Sequence, residues 1–199
     1  TLNFQTIIAQ AKNNKNNRVV IRYYYLWLLK SLSDKNTIEW DIEKTKFGIH
    51  QLLADIRSKG FSPNNIFLIG FSQGASLAME IALRLPFAIG GIVPIAGFIK
   101  FKDALANEAT EESKNTPVLL LHGNQDEIIH VTASEKAHEL LKIRGNPVHF
   151  EKYDAVHKIP KIICPIVKNF VSDSLIGKIK NTDCNTNKLV KVAGLSFKN

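Results

Sequence analysis

The chain is predicted to be an α/β fold, a mostly parallel sheet with helices on both faces. Two patterns carry that prediction. Short, uninterrupted apolar runs such as Ile66-Phe-Leu-Ile69 and Val118-Leu-Leu-Leu121 suit strands covered on both sides. Between such runs lie segments whose apolar residues recur every three or four positions, which is the period of a helix. Strand and helix therefore alternate, as a parallel sheet requires.

Residues 10–17 are polar and Asn-rich and predict a loop, whereas Arg18 to Tyr25 is β-branched and aromatic and predicts a strand. A helix is expected over 38–59. Its apolar positions are Ile42, Phe47, Ile49, Leu52, Leu53 and Ile56, with Thr37 as N-cap and Gly60 as stop. From there the expected order is strand 65–70, helix 73–85 ending before Pro86, strand 91–96, strand 117–122, helix 131–144 ending at Gly145, strand 147–153 and helix 161–171. Residues 97–116 are more polar and predict an excursion at the sheet's edge or over the site. The resulting organisation is a polar N-terminal segment 1–17, a domain 18–173 and a basic, flexible tail 174–199.

Composition narrows the function classes. A chain of 199 residues fits one domain with a real core, and no apolar run approaches the roughly 18 to 20 residues that span a bilayer. The formal charge of +8 sits at the ends, with +5 in residues 1–33 and +4 in residues 174–199, leaving −1 for the body. A near-neutral body argues against a nucleic-acid groove, which needs clustered Lys and Arg on the domain itself. The tail mixes lysines with Leu175, Ile176, Ile179, Leu189, Val190 and Val192, so contact with an anionic membrane is one reading and simple solvation the other. Cys164 and Cys184 show no metal or disulfide spacing, and no secretory signal opens the chain, so a reducing, cytoplasmic setting is expected. Oligomeric state is not legible.

Gly70-Phe-Ser-Gln-Gly74 matches G-x-S-x-G where a strand gives way to a helix, the context in which that pattern presents a nucleophilic serine. Gly70 and Gly74 let strand and helix pass closely, and Ala75 keeps the crossing small. The backbone N–H of Gln73, at the positive end of the helix, would stabilise an oxyanion. A serine alcohol is a weak nucleophile at neutral pH, so it needs a histidine base and a carboxylate that orients the histidine. In α/β-hydrolases these follow the serine in the order acid, then histidine. Asp126 lies just after the strand ending at His122, and His157 just after the strand ending at Tyr153, at the edge where Ser72 emerges. Glu127 and Asp154 are competing carboxylates. His122 at a strand end suits a hydrogen bond to the neighbouring loop, and His50, His130, His138 and His149 fall where solvated or packed histidines are usual.

Three blocks, Gly70-Phe-Ser-Gln-Gly-Ala75, Leu121-His-Gly-Asn-Gln-Asp126 with Ile129 beyond it, and His157, resemble the acyl-protein thioesterase and phospholipase/carboxylesterase family of α/β-hydrolases. The spacing is similar too, 54 residues from Ser72 to Asp126 and 31 onward to His157. The resemblance covers about residues 18–172. It implies an α/β-hydrolase fold and cleavage of carboxylic esters or thioesters, on small molecules or acylated proteins, with no metal or cofactor. Trp27 resembles the family's tryptophan after the strand preceding the long helix, with Leu28 where an aromatic usually follows. Family members also carry an earlier Leu-His-Gly-x-Gly turn that supplies a second oxyanion donor, and residues 1–17 contain no Gly. The fold is therefore expected to be N-terminally incomplete. Loss of one such donor typically costs about 2.7 to 4 kcal/mol, roughly 100- to 1,000-fold in rate. The alternative expectation is a truncated, weakly active or inactive hydrolase fold serving as an interaction domain or gene remnant.

Overall fold

The computed structural model describes residues 5–12, 18–25 and 42–177. Two strands, β1 (Gln5–Lys12) and β2 (Arg18–Tyr25), pair antiparallel with Gln5 opposite Tyr25 and Lys12 opposite Arg18. The helix α1 (Ile42–Ser58) precedes β3 (Ile66–Phe71), α2 (Gln73–Ala82) and β4 (Gly91–Ile95). Then come α3 (Lys102–Glu108), β5 (Val118–Gly123), α4 (Thr132–Arg144), β6 (Val148–Tyr153) and α5 (Cys164–Leu175). The sheet order is β2-β1-β3-β4-β5-β6. From β3 to β6 every pairing is parallel, and β1 runs antiparallel to β3 with Ile8 opposite Ile69.

The mostly parallel sheet with helices on both faces is thus the architecture observed. Its two faces can be read along single strands, because successive side chains point to opposite sides. Ile66 and Leu68 of β3, Ile92 of β4, and Val118 and Leu120 of β5 join Leu53 and Ile56 of α1, Leu77 and Ile81 of α2, and Leu141 of α4 in one core cluster. Phe67, Val93, Ile95, Leu119 and Leu121 face the other way, onto Phe170 of α5 with Tyr153 and Ile163. Each fully buried Leu, Ile or Phe contributes on the order of 1.5–3 kcal/mol relative to exposure. Double coverage is why these strands are continuously apolar.

Several boundaries differ from expectation for identifiable reasons. Residues 10–12, expected in a loop, complete β1: the Asn-rich run that follows hid the β-forming Thr6-Ile-Ile8, and pairing with β2 and β3 carries the strand to Lys12. Phe47, expected on the buried stripe of α1, is 65% exposed. It lies six residues from Leu53, about 120° off that stripe at 100° per residue. The helix expected to run to residue 85 ends at Ala82, and its last turn tightens into i→i−3 bonds from Arg84 to Ile81 and Leu85 to Ala82. The α4 stop is as expected, with Gly145 left-handed at φ 94° and its N–H bonded to Leu141 and Lys142.

The excursion 97–116 leaves the site end of β4 and returns to the opposite edge of the sheet. There the Arg144 guanidinium donates to the Thr110 carbonyl and to Ser113 Oγ (2.7 Å), and Asn146 Nδ2 donates to the Ser113 carbonyl (2.9 Å). Arg84 ties α2 to α3 by reaching both buried Glu80 (2.7 Å) and Glu108 (2.5 Å). Trp27, Leu28 and residues 178–199 lie outside the described residues. If the doubly covered sheet carries the stability, Leu120→Ala should lower the urea-unfolding free energy by about 2–5 kcal/mol. Ile143→Ala, at a position 86% exposed, should change it by less than about 0.5 kcal/mol.

Candidate active site

Ser72 sits between β3 and α2 at φ 56°, ψ −121°, a backbone conformation that non-glycine residues rarely adopt. Such strain costs on the order of 1–3 kcal/mol and persists only where the surroundings over-determine it. Here they do. Ser72 N–H donates to the Ile95 carbonyl of the adjacent strand at 2.8 Å, and the Ser72 carbonyl accepts from Ala75 (3.0 Å) and Ser76 (3.2 Å) in the first turn of α2. A Cβ on Gly70 would come within 2.2 Å of the Gly74 carbonyl oxygen, and one on Gly97 within 2.6 Å of Ala75 Cβ. The glycines therefore allow the close strand–helix crossing that lifts the serine hydroxyl off the sheet.

Asp126 is delivered by the loop after β5. Its Oδ1 accepts the backbone N–H groups of Ile128 and Ile129, both at 2.9 Å, which closes a turn around the carboxylate. The loops after β5 and β6 are laced together by Asn124 N–H to the Tyr153 carbonyl (2.9 Å) and Gln125 N–H to the Ala155 carbonyl (3.1 Å). A Cβ on Gly123 would sit 2.3 Å from the Ala155 oxygen, so this approach too requires glycine. The lacing brings His157 to Asp126 across 31 residues of sequence, with Nδ1 2.6 Å from Asp126 Oδ2. On the far side of the ring, Nε2 lies 3.0 Å from Ser72 Oγ. Phe71, next to the serine, packs its ring against the imidazole at 4.6 Å between centroids.

The hydrogen bonding assigns the tautomer. Asp126 only accepts, so the proton is on Nδ1, leaving Nε2 to accept from the Ser72 hydroxyl. Burial pushes the Asp126 carboxyl up, and the bonds from His157, Ile129 and Ile128 outweigh it, leaving the group below its ordinary 3.8. Tyr153 ends β6 and donates its hydroxyl to the Lys158 carbonyl at 2.9 Å, bracing the His157 loop. Burial, then the charge on Asp126, pushes its phenol up to about 12.

Ser72, Asp126 and His157 are thus brought together, and Gln73 opens α2 beside them. The competitors are elsewhere. Glu127 is exposed, and Asp154 accepts from Gln125 Nε2 at 2.8 Å on the surface. His50, His130 and His149 are exposed, and half-buried His138 lies beside Phe150. His122 is buried and bonds the Ile129 carbonyl at 2.8 Å, the loop contact expected of it. Sequence reasoning missed the bracing side chains Tyr153, Ser76 and Ser134. Their only sequence signal is position, a tyrosine closing the last strand and serines one turn into α2 and α4. Among the described residues no cluster of His, Cys, Asp or Glu is arranged to hold a metal, and no helix is long and apolar enough to cross a membrane. Cys164 is exposed.

A serine on a strained strand-to-helix turn, with the acid and histidine on the next two strand ends after β4, defines an α/β-hydrolase. The chain belongs to the phospholipase/carboxylesterase family, whose pattern it matches over residues 8–175. Carboxylesterase SOBER1 of Arabidopsis thaliana is 28% identical over 130 residues, 65% of this chain and 57% of that protein. Acyl-protein thioesterase 1 of Kluyveromyces lactis is 34% identical over 117 residues, covering 57% of this chain and 47% of that protein. The chain spans about half the length of the curated relatives it matches. The crystal structure of SOBER1 superposes with a TM-score of 0.65 at 25% identity, over 83% of this chain and 81% of that one.

The pKa directions predict the acid response of the fold. Asp126 is depressed, so its ionised form stabilises the fold above its ordinary 3.8 and that contribution disappears as pH falls through the lower folded value. Burial holds His122 below its ordinary 6.5, so stability declines from that pH downward, where the unfolded chain takes up the proton first. Urea titrations should show both declines, with Asp126→Asn removing the one below about pH 4 and His122→Gln flattening the one below about pH 6.5.

Proposed function

We propose that the chain is a serine hydrolase that cleaves carboxylic esters or thioesters through an acyl-enzyme. The observation that carries this reading is the unbroken hydrogen-bond line from Asp126 through His157 to Ser72, with Nε2 3.0 Å from Oγ. Family membership and the carboxylesterase and thioesterase names of its relatives support the same class.

In the first half-reaction, Ser72 Oγ attacks the acyl carbon while His157 Nε2 takes the hydroxyl proton. The imidazolium that forms is stabilised by Asp126. The carbonyl oxygen becomes an oxyanion beside the N-terminus of α2, where the Gln73 N–H and the helix dipole favour negative charge. Collapse expels the alcohol or thiol, which leaves with the proton held by His157. Water then attacks the Ser72 ester with His157 again as base, releasing the carboxylic acid and restoring the hydroxyl. Apart from the substrate and the hydrolytic water, the proposed steps draw on side chains and backbone of the chain itself.

Exposed apolar side chains flank the histidine and the acid, namely Val156, Ile159 and Ile128. They suit an apolar acyl group on a small molecule or on an acylated protein, and a cytoplasmic setting goes with this reading. A fluorophosphonate probe should label Ser72 in the folded chain, and Ser72→Ala should abolish labelling. Asp126→Asn, which favours the wrong tautomer, should slow hydrolysis of a p-nitrophenyl acyl ester by about 10⁴-fold with the fold retained. A folded chain that does not label at Ser72 would sink the proposal.

A further inference from the structure

His122 is completely buried at the end of β5 and takes no part in the acyl transfer described above. Its contacts nevertheless lead to both ends of the serine–histidine–acid line. The Ile129 carbonyl only accepts, so Nε2, 2.8 Å away, carries the proton. The same nitrogen lies 3.4 Å from Asp126 Oδ2, the oxygen that binds His157. Nδ1 faces Ser134 Oγ in the first turn of α4 at 2.7 Å, and that hydroxyl lies 2.9 Å from the Gly97 carbonyl, its proton shared between two acceptors. The next residue, Phe98, donates its N–H to Ser76 Oγ at 3.1 Å, and Ser76 N–H bonds the Ser72 carbonyl at 3.2 Å. His122, Ser134 and Ser76 are all buried, so water does not compete for these bonds.

We propose that His122 is a positioning residue. Its Nε2–H holds the Asp126 turn in place through Ile129 and Asp126 Oδ2, and its Nδ1, through Ser134, ties that turn to the Gly97 loop packed against the nucleophile helix. The inference rests on the serine-hydrolase reading for its rate consequence, but not for its structural one. The acid and the nucleophile are 54 residues apart in sequence. Besides His157 and the sheet's own backbone bonds, this buried chain links the turn that holds one to the helix that holds the other.

Two substitutions separate the functions of the two ring nitrogens. A glutamine amide reaches the Nε2 place and preserves the donor to Ile129, whereas an asparagine amide reaches only the Nδ1 place and faces Ser134. Two readouts are taken on the full chain: the ¹H shift of the His157 Nδ1 proton in ¹⁵N-histidine-labelled protein, and the rate at which a fluorophosphonate labels Ser72. His122→Asn should move the His157 Nδ1 proton upfield and slow labelling by about 10- to 100-fold, the scale of a catalytic group misplaced by up to an ångström. His122→Gln, which keeps the Ile129 donor and loses the Ser134 contact, should recover the His157 resonance and only part of the labelling rate. A merely structural histidine would lower melting temperature in both variants and leave the resonance and the labelling rate alike at a temperature where both are folded. That result, or a folded His122→Asn that matches the parent, would overturn the proposal. If His122→Asn does not fold, Ser134→Ala decides, since it removes one hydroxyl and should slow labelling measurably; a parent-like rate would overturn the linkage to Gly97. A parent chain that fails to label would contradict the hydrolase reading, and the His157 resonance would still decide this one.

Discussion

The backbone of Ser72 is the constraint on which the site depends. A serine at φ 56° is unstable alone, and it is held there from three sides: the Ile95 carbonyl fixes its N–H, the first turn of α2 captures its carbonyl, and Gly70 and Gly97 let neighbouring chain approach within distances a Cβ would forbid. The strain is therefore sustained by the sheet, through the parallel pairing of β3 with β4 and the apolar cover on both faces. Loosening that cover would release the turn, and the hydroxyl would lose its position above the sheet.

Parallel order supplies the rest of the geometry. Because β3, β4, β5 and β6 lie side by side and point the same way, the residues that follow β3, β5 and β6 emerge at one edge. Ser72, Asp126 and His157 occupy those three exits. What converts neighbourhood into contact is local: glycine at 123, two backbone bonds between the β5 and β6 loops, and the Tyr153 hydroxyl under the histidine loop. The electrostatics follow from the same contacts. Three donors outweigh the desolvation of Asp126 and keep it ionised, and an ionised acid keeps the Nδ1 proton on His157.

Much of this was legible from residues 60–175. Uninterrupted apolar runs marked the doubly covered strands, Gly145 marked a helix end, and G-x-S-x-G before a helix identified where the chain must turn sharply. The order of Asp126 and His157 after Ser72 suggested which carboxylate and which histidine would meet, and these are the ones in contact. The features that escaped depend on pairing or on bonds between distant side chains. Strand β1 owes its extent to partners on both sides, so the polarity of residues 10–12 misled. Phe47 fits a loose three-or-four spacing yet lies off the buried stripe. Tyr153, Ser134 and Ser76 look like ordinary strand and helix residues until the fold sets their hydroxyls against particular carbonyls and amides. A hydrogen-bond chain that runs from β5 through α4 and the Gly97 loop to α2 leaves no periodic trace.

The proposed acyl transfer requires Ser72 to accept an acyl group with its base already in place, 3.0 Å away. Rapid mixing of the chain with a p-nitrophenyl acyl ester, quenched in acid and mapped by mass spectrometry, tests it most directly. A burst of p-nitrophenol approaching one equivalent per chain is expected, with the acyl mass on the peptide that contains Ser72. Turnover with no burst and no acyl group at Ser72, or an acyl group carried on another residue, would contradict it.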